Sequence, residues 1–217
     1  MFGRQKVAML VAEFLGAATL TSAVYAMAVR TSFPYFAAGA AGMTVGLMVL
    51  VVGATSGAHL NPAVTLGLWT LRKIQTMQAL VYIAAQMLGG FAAWRLMEYL
   101  MDSPLKEIAG KNVDWRVMVA EAVGMLIFGF AIAAAMYKNY EGLQLATTVG
   151  GGLFIGAMIA AFASNGLLNP AVALGVQSFS LSYVAGPIVG SVVGMNLYGL
   201  LFAPAPAKRR VATKKKK

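Results

Sequence analysis

Leu60-Asn61-Pro62-Ala63-Val64 recurs as Leu168-Asn169-Pro170-Ala171-Val172. The two copies are offset by 108 positions, about half of the 217 residues, and a glycine follows each at the same distance (Gly67 and Gly175). Val11-Ala12-Glu13 returns as Val119-Ala120-Glu121 at the same offset of 108. Two anchors in one register mark an internal duplication, so the chain reads as one unit used twice.

The surroundings say where that unit lives. The chain is 59% hydrophobic and 11% charged, with a mean hydropathy of +0.74. Soluble domains carry about 25% charged residues, so the expected solvent is a lipid bilayer. There is no cysteine, one histidine and seven acidic residues. That excludes disulfides and leaves little for a metal cluster or an acid–base pair, so no cofactor, no metal and no enzyme are expected. The net charge of +10 is concentrated at one end, where seven of the 17 basic residues fall in Lys208–Lys217. With no aromatic residues among them, they read as a solvated tail near anionic lipid, and no nucleic-acid partner is expected.

A membrane-spanning helix needs about 20 apolar residues. Six segments qualify: Val7–Val29, Phe36–Thr55, Met77–Met101, Val113–Tyr137, Leu143–Ala163 and Tyr183–Ala203. The first has the layout of a signal peptide, but Glu13 and its copy Glu121 mark it as retained. Three spans per unit is an odd number, so the second unit must insert upside down. The expected division is a first repeat over 1–109, a second, inverted repeat over 110–205 and a basic tail over 206–217. Glycines at four-residue spacing (Gly42 and Gly46; Gly152 and Gly156; Gly186, Gly190 and Gly194) read as close helix-packing surfaces. Excluding the tail, the basic residues divide evenly between the two sides, so the tail sets the orientation and both termini are expected in the cytoplasm. Compact termini point to a prokaryotic plasma membrane. Trp69, Trp94 and Trp115 are expected as interface anchors.

Two apolar pieces, Ser56–Leu71 and Ser164–Ser180, are too short to cross. Asparagine is a favoured N-cap and proline a favoured first helical residue, so half-helices are expected at 62–71 and 170–178. Irregular backbone at membrane depth survives only where it is buried in protein or lines a water-filled cavity. Two half-helices meeting cap to cap at the midplane satisfy that condition. Each N-terminus carries about half a positive charge, and the combined field repels cations while a neutral solute passes. The exposed carbonyls of Gly57–Leu60 and Asn165–Leu168 are expected to form an acceptor ladder.

Ser56-Gly57-Ala58-His59-Leu60-Asn61-Pro62-Ala63 with Asn169-Pro170-Ala171 resembles the paired signatures of the aquaporin, or major intrinsic protein, family. Gln86 before Gly89-Gly90 and Pro187 with Gly190 and Gly194 resemble its third and sixth helices. The resemblance covers nearly the whole chain. It implies an all-α membrane protein of six transmembrane helices and two re-entrant half-helices, built as an inverted internal repeat. It also implies a homotetramer with one single-file pore per subunit. Asn61, Pro62, Ala63, Asn169, Pro170 and Ala171 would form the pore centre. Glu13 and Glu121 would each accept hydrogen bonds from the neighbouring re-entrant loop, and His59 would brace its loop or line the vestibule.

One departure stands out. Members of this family usually carry arginine directly after the second Asn-Pro-Ala, and this chain has Val172. Counting back from each asparagine puts the other constriction positions on Ala41, Ala157 and Gly166, which predicts a wide, apolar filter. The expected function is passive passage of water and small neutral solutes of glycerol or urea type. Two alternatives stay open: an ion- or proton-coupled secondary transporter, and a closed or structural family member.

Overall fold

The computed structural model describes residues 3–204; the tail expected at 206–217 lies outside them. Its elements are α1 (Arg4–Ala28), α2 (Pro34–Ser56), α3 (Pro62–Thr70), α4 (Thr76–Met101), α5 (Trp115–Tyr137), α6 (Gly142–Ala160), α7 (Pro170–Gly175) and α8 (Leu181–Leu201). All but α3 and α7 are long and apolar enough to cross a membrane.

Each expected span is present, with ends that coincide (Met101, Tyr137) or move by one to three residues. The largest shifts have local causes. The fifth span stops at Ala160, not Ala163, because Phe162 and Ala163 turn back onto the carbonyls of Ile159 and Ala160. That turn delivers Ser164 to the interior. The second half-helix ends at Gly175, short of 178. Gln177 takes a left-handed conformation (φ 56°) and the Ser178 amide closes onto the Ala173 carbonyl at 2.8 Å, which is a Schellman stop. The same closure ends α3, with Arg72 at φ 57° and the Lys73 amide on the Leu68 carbonyl at 2.9 Å.

α1 packs on α2 and α4, α5 packs on α6 and α8, and the halves meet along α2 and α6. The short helices cross over: α3 lies on α8 and α7 lies on α4. Each half thus supports the short helix of the other. Polar side chains lie inside, with Glu13, Gln86, Glu121, Asn61 and Asn169 buried, while Met43, Val51, Met77, Leu80 and Leu200 face outward. This inverted distribution suits a bilayer solvent.

Glycine sets the helix spacing. A Cβ on Gly42 would stand 2.6 Å from the Gly150 carbonyl oxygen, and one on Gly150 would stand 2.5 Å from that of Gly42. Along α8, a Cβ on Gly186, Gly190 or Gly194 would collide with the α5 carbonyl of Met118, Ala122 or Leu126 respectively. Gly39 and Gly151 meet nothing within 4 Å and serve no such contact. Trp69 and Trp115 are exposed at helix ends, whereas Trp94 is half-buried against the core, edge-on to Phe91.

Gly190→Ala forces α5 and α8 apart against backbone that cannot yield. It should cost about 1–3 kcal/mol, while Gly39→Ala should stay within about 0.5 kcal/mol of the parent. Thermal unfolding of the detergent-solubilised protein checks both.

Candidate functional site: two half-helices meeting at a central cavity

The site is built from two loops that have left helical geometry inside the bundle. Before α3, Gly57, Ala58 and Leu60 have φ of 91°, 49° and 53°; before α7, Gly166 and Leu168 have φ of 60° and 50°. These left-handed turns aim the amides of His59 and Leu60, and of Leu167 and Leu168, each pair at one carboxylate. Glu13 Oε1 accepts from Ser56 Oγ (2.6 Å) and the His59 amide (3.0 Å), and its Oε2 accepts from the Leu60 amide (2.7 Å) and Gln86 Nε2 (2.7 Å). Glu121 repeats the pattern: Oε1 accepts from Ser164 Oγ (2.7 Å) and the Leu167 amide (3.0 Å), and Oε2 from the Leu168 amide (2.6 Å). Both glutamates are fully buried.

Ser56 and Ser164 were not singled out from sequence, although they share the 108-residue offset of the other repeated anchors. Each also accepts a turn amide, Ala58 at 3.1 Å and Gly166 at 2.9 Å. The match between halves is incomplete. Gln86 bridges Glu13 to Thr65, donating to Thr65 Oγ1 at 2.9 Å; on α8 the matching place is held by Pro187, since Gly190 packs on the Ala122 carbonyl as Gly89 packs on that of Phe14.

Asn61 and Asn169 cap α3 and α7. Asn61 Oδ1 accepts from the Ala63 amide at 2.8 Å, and Asn169 Oδ1 from Ala171 at 2.9 Å and Val172 at 3.4 Å. Pro62 and Pro170 occupy the first helical position, where no amide is missed. The side-chain amides then cross. Asn61 Nδ2 donates to the Leu168 carbonyl at 2.8 Å, and Asn169 Nδ2 donates to the Leu60 carbonyl at 2.9 Å. Two helix N-termini are thereby tied face to face, with Ala63 and Ala171 fully buried behind them. A carboxamide has two N–H donors, so each asparagine keeps one for another acceptor. Leu60 and Leu168, expected at the inner end of the acceptor ladder, each spend a lone pair on this cross-bond.

Both asparagines line an enclosed cavity with about 10 Å³ open to the centre of a water molecule, room for roughly one water. Ala41, Val172 and His59 line it too. His59 Nδ1 lies 3.2 Å from Thr65 Oγ1, and the ring packs edge-on to Tyr82. Ala157 and Gly166 are in contact with each other, since a Cβ on Gly166 would lie 2.5 Å from the Ala157 carbonyl oxygen. Neither is among the cavity walls. Phe128 and Leu153, missed in the sequence, are. Nothing in their spacing distinguishes them from other apolar residues on helices. None of the described residues lining the cavity is an acid, a lysine or an arginine.

Six membrane-length helices enclosing two short helices tied N-terminus to N-terminus define a membrane channel of the aquaporin architecture. The family model for major intrinsic protein matches residues 3–198, and the chain belongs to that family of membrane channels. It is 31% identical over 170 residues to aquaporin NIP1-1 of Oryza sativa subsp. japonica, a match spanning 74% of this chain and 60% of that protein. It is 30% identical over 181 residues to aquaporin AqpM of Methanothermobacter thermautotrophicus, covering 74% of each. Aquaporin Z of Photorhabdus laumondii is 29% identical over 228 residues, covering 89% of this chain and 97% of that one. Among solved structures, the aquaglyceroporin from Plasmodium falciparum shares the fold with a TM-score of 0.75 at 23% identity, covering 92% of this chain and 98% of that one.

Removing either carboxylate strands buried donors, at about 1–3 kcal/mol each. Glu13→Ala strands four and Glu121→Ala two, because Ser164 Oγ can turn to the Ala160 carbonyl at 3.1 Å, so both should unfold the protein, with Glu13→Ala giving the lower yield. Size-exclusion recovery of monodisperse protein is the measurement.

Proposed function

We propose that the protein is a passive channel for water and small neutral solutes of glycerol or urea size. In this reading Asn61, Pro62, Ala63, Asn169, Pro170 and Ala171 form the pore centre, and Ala41, Ala157, Gly166 and Val172 form a wide, apolar filter. The observation that carries it is the free amide donor on each asparagine, held at a cavity whose described walls have no acid, lysine or arginine. A passing oxygen accepts from those donors, while the two opposed helix N-termini make the same point unfavourable for a cation. Valine at position 172 leaves the constriction without a charged donor, which favours solutes larger than water. Coupled transport needs ionisable groups on the path. Glu13 and Glu121 are turned instead to their loops, and their oxygens are occupied there.

The same proposal takes the chain as two inverted repeats, 1–109 and 110–205, assembled as a homotetramer in the plasma membrane with both termini cytoplasmic. It rests on the duplication, the basic tail and the family. A second reading, a closed or structural member, is supported by the small volume of the cavity.

Stopped-flow shrinkage of proteoliposomes against water, urea, glycerol and larger polyols separates the two. The channel reading expects solute flux well above empty vesicles, and Val172→Arg to cut glycerol flux at least about fivefold with a smaller effect on water. Flux equal to that of empty vesicles for every solute supports the closed reading.

A further inference from the structure

One open cleft lies directly against the central cavity. It has about 570 Å³ open to water and shares Val24 and Leu167 with the cavity wall. Arg30, Lys106 and Glu107 also line it. We propose that Arg30 and Lys106 form an electropositive mouth that turns cations away before they reach the uncharged constriction. The proposal rests on the channel reading above and adds the residues that determine its charge selectivity.

Arg30 and the backbone that carries Lys106 are held in place. Arg30 follows the end of α1, and its guanidinium donates to the Ala26 carbonyl at 3.3 Å, which keeps it against that helix end. Lys106 sits on the connection between α4 and α5, fixed at three points. Its own amide donates to Tyr25 Oη (3.0 Å), the Leu105 amide donates to Glu98 Oε1 (3.3 Å), and the Ala109 amide donates to Ser178 Oγ (2.8 Å). Asn165, in the second re-entrant loop, is tied to the same connection through the Ile108 carbonyl. The mouth is therefore built onto the loop that enters the site.

The charge balance decides the sign. Glu107 is matched by Lys111 at 2.7 Å, and Glu98 by Arg95 at 2.6 Å. Among the described residues neither Arg30 nor Lys106 has an acidic partner within salt-bridge distance. Two unpaired positive charges lining one cleft raise a repulsive potential for cations and leave neutral solutes unaffected. The described wall of the cavity beyond holds no acid, lysine or arginine, so we assign charge selection additional to the half-helix dipoles to this mouth.

The test uses the full chain in proteoliposomes and compares the parent with Arg30→Ala/Lys106→Ala and with the charge-preserving Arg30→Lys/Lys106→Arg. Water flux is read by stopped flow and cation entry by rubidium tracer uptake. At about 10 mM salt, where the Debye length is about 30 Å, the alanine pair should raise rubidium entry about tenfold with water flux kept within about twofold. The charge-preserving pair should match the parent. In about 1 M salt, where screening acts within about 3 Å, the difference should vanish. Unchanged rubidium entry in the alanine pair overturns the proposal, as does a rise that persists in high salt. Parent water flux equal to that of empty vesicles overturns the channel reading beneath it.

Discussion

Irregular backbone at membrane depth must find hydrogen-bond partners within the protein, because lipid supplies none. Everything at the centre of this fold follows from that constraint. Two loops leave helical geometry inside the bundle, and each presents its amides to one buried carboxylate. Glu13 and Glu121 therefore act as anchors for backbone, each placed on the first long helix of its half. A serine 43 residues after each glutamate completes the arrangement by donating to the carboxylate and accepting from the turn. An ionised side chain in a membrane helix is costly when unpartnered, and here three or four donors offset that cost. With the loops fixed, the asparagines that end them can cap α3 and α7 and still reach across to each other's loop. The cross-bonds join the halves at their centre, and the crossed seating of α3 on α8 and α7 on α4 joins them at the sides. Glycine then allows the long helices to close around this centre without displacing it.

The duplicated halves are not equal. The first has Gln86 and Thr65 linked to its glutamate and His59 beside Thr65, while the second has Pro187, which has no side-chain donor, at the position matching Gln86. The first half-helix also runs nine residues and the second six. The result is a polar network beneath one half of the central cavity and an apolar wall, including Leu167 and Val172, above the other.

Much of this was legible in the sequence because its signals are local or repeated. The six spans needed only length and apolarity, and the half-helices only Asn-Pro and a run too short to cross. Their ends were less legible. The stop of α7 at Gly175 depends on Gln177 adopting a left-handed conformation, which a non-glycine residue does not announce. The pairing of Ser56 with Glu13 joins residues 43 apart through tertiary packing, and only the shared offset with Ser164 and Glu121 hints at it. Phe128 and Leu153 line the cavity for geometric reasons, the rotation of α5 and α6, that hydrophobicity cannot encode when nearly every position on those helices is apolar.

The central claim is that Asn61 and Asn169 each hold one amide proton free at the meeting point of two helix N-termini. A high-resolution experimental structure in lipid, with ordered water resolved, tests it directly. The account predicts water oxygen within about 3 Å of both Nδ2 atoms, with the cross-bonds to Leu60 and Leu168 intact. A dry cavity, or asparagine side chains turned away from it, would contradict the account.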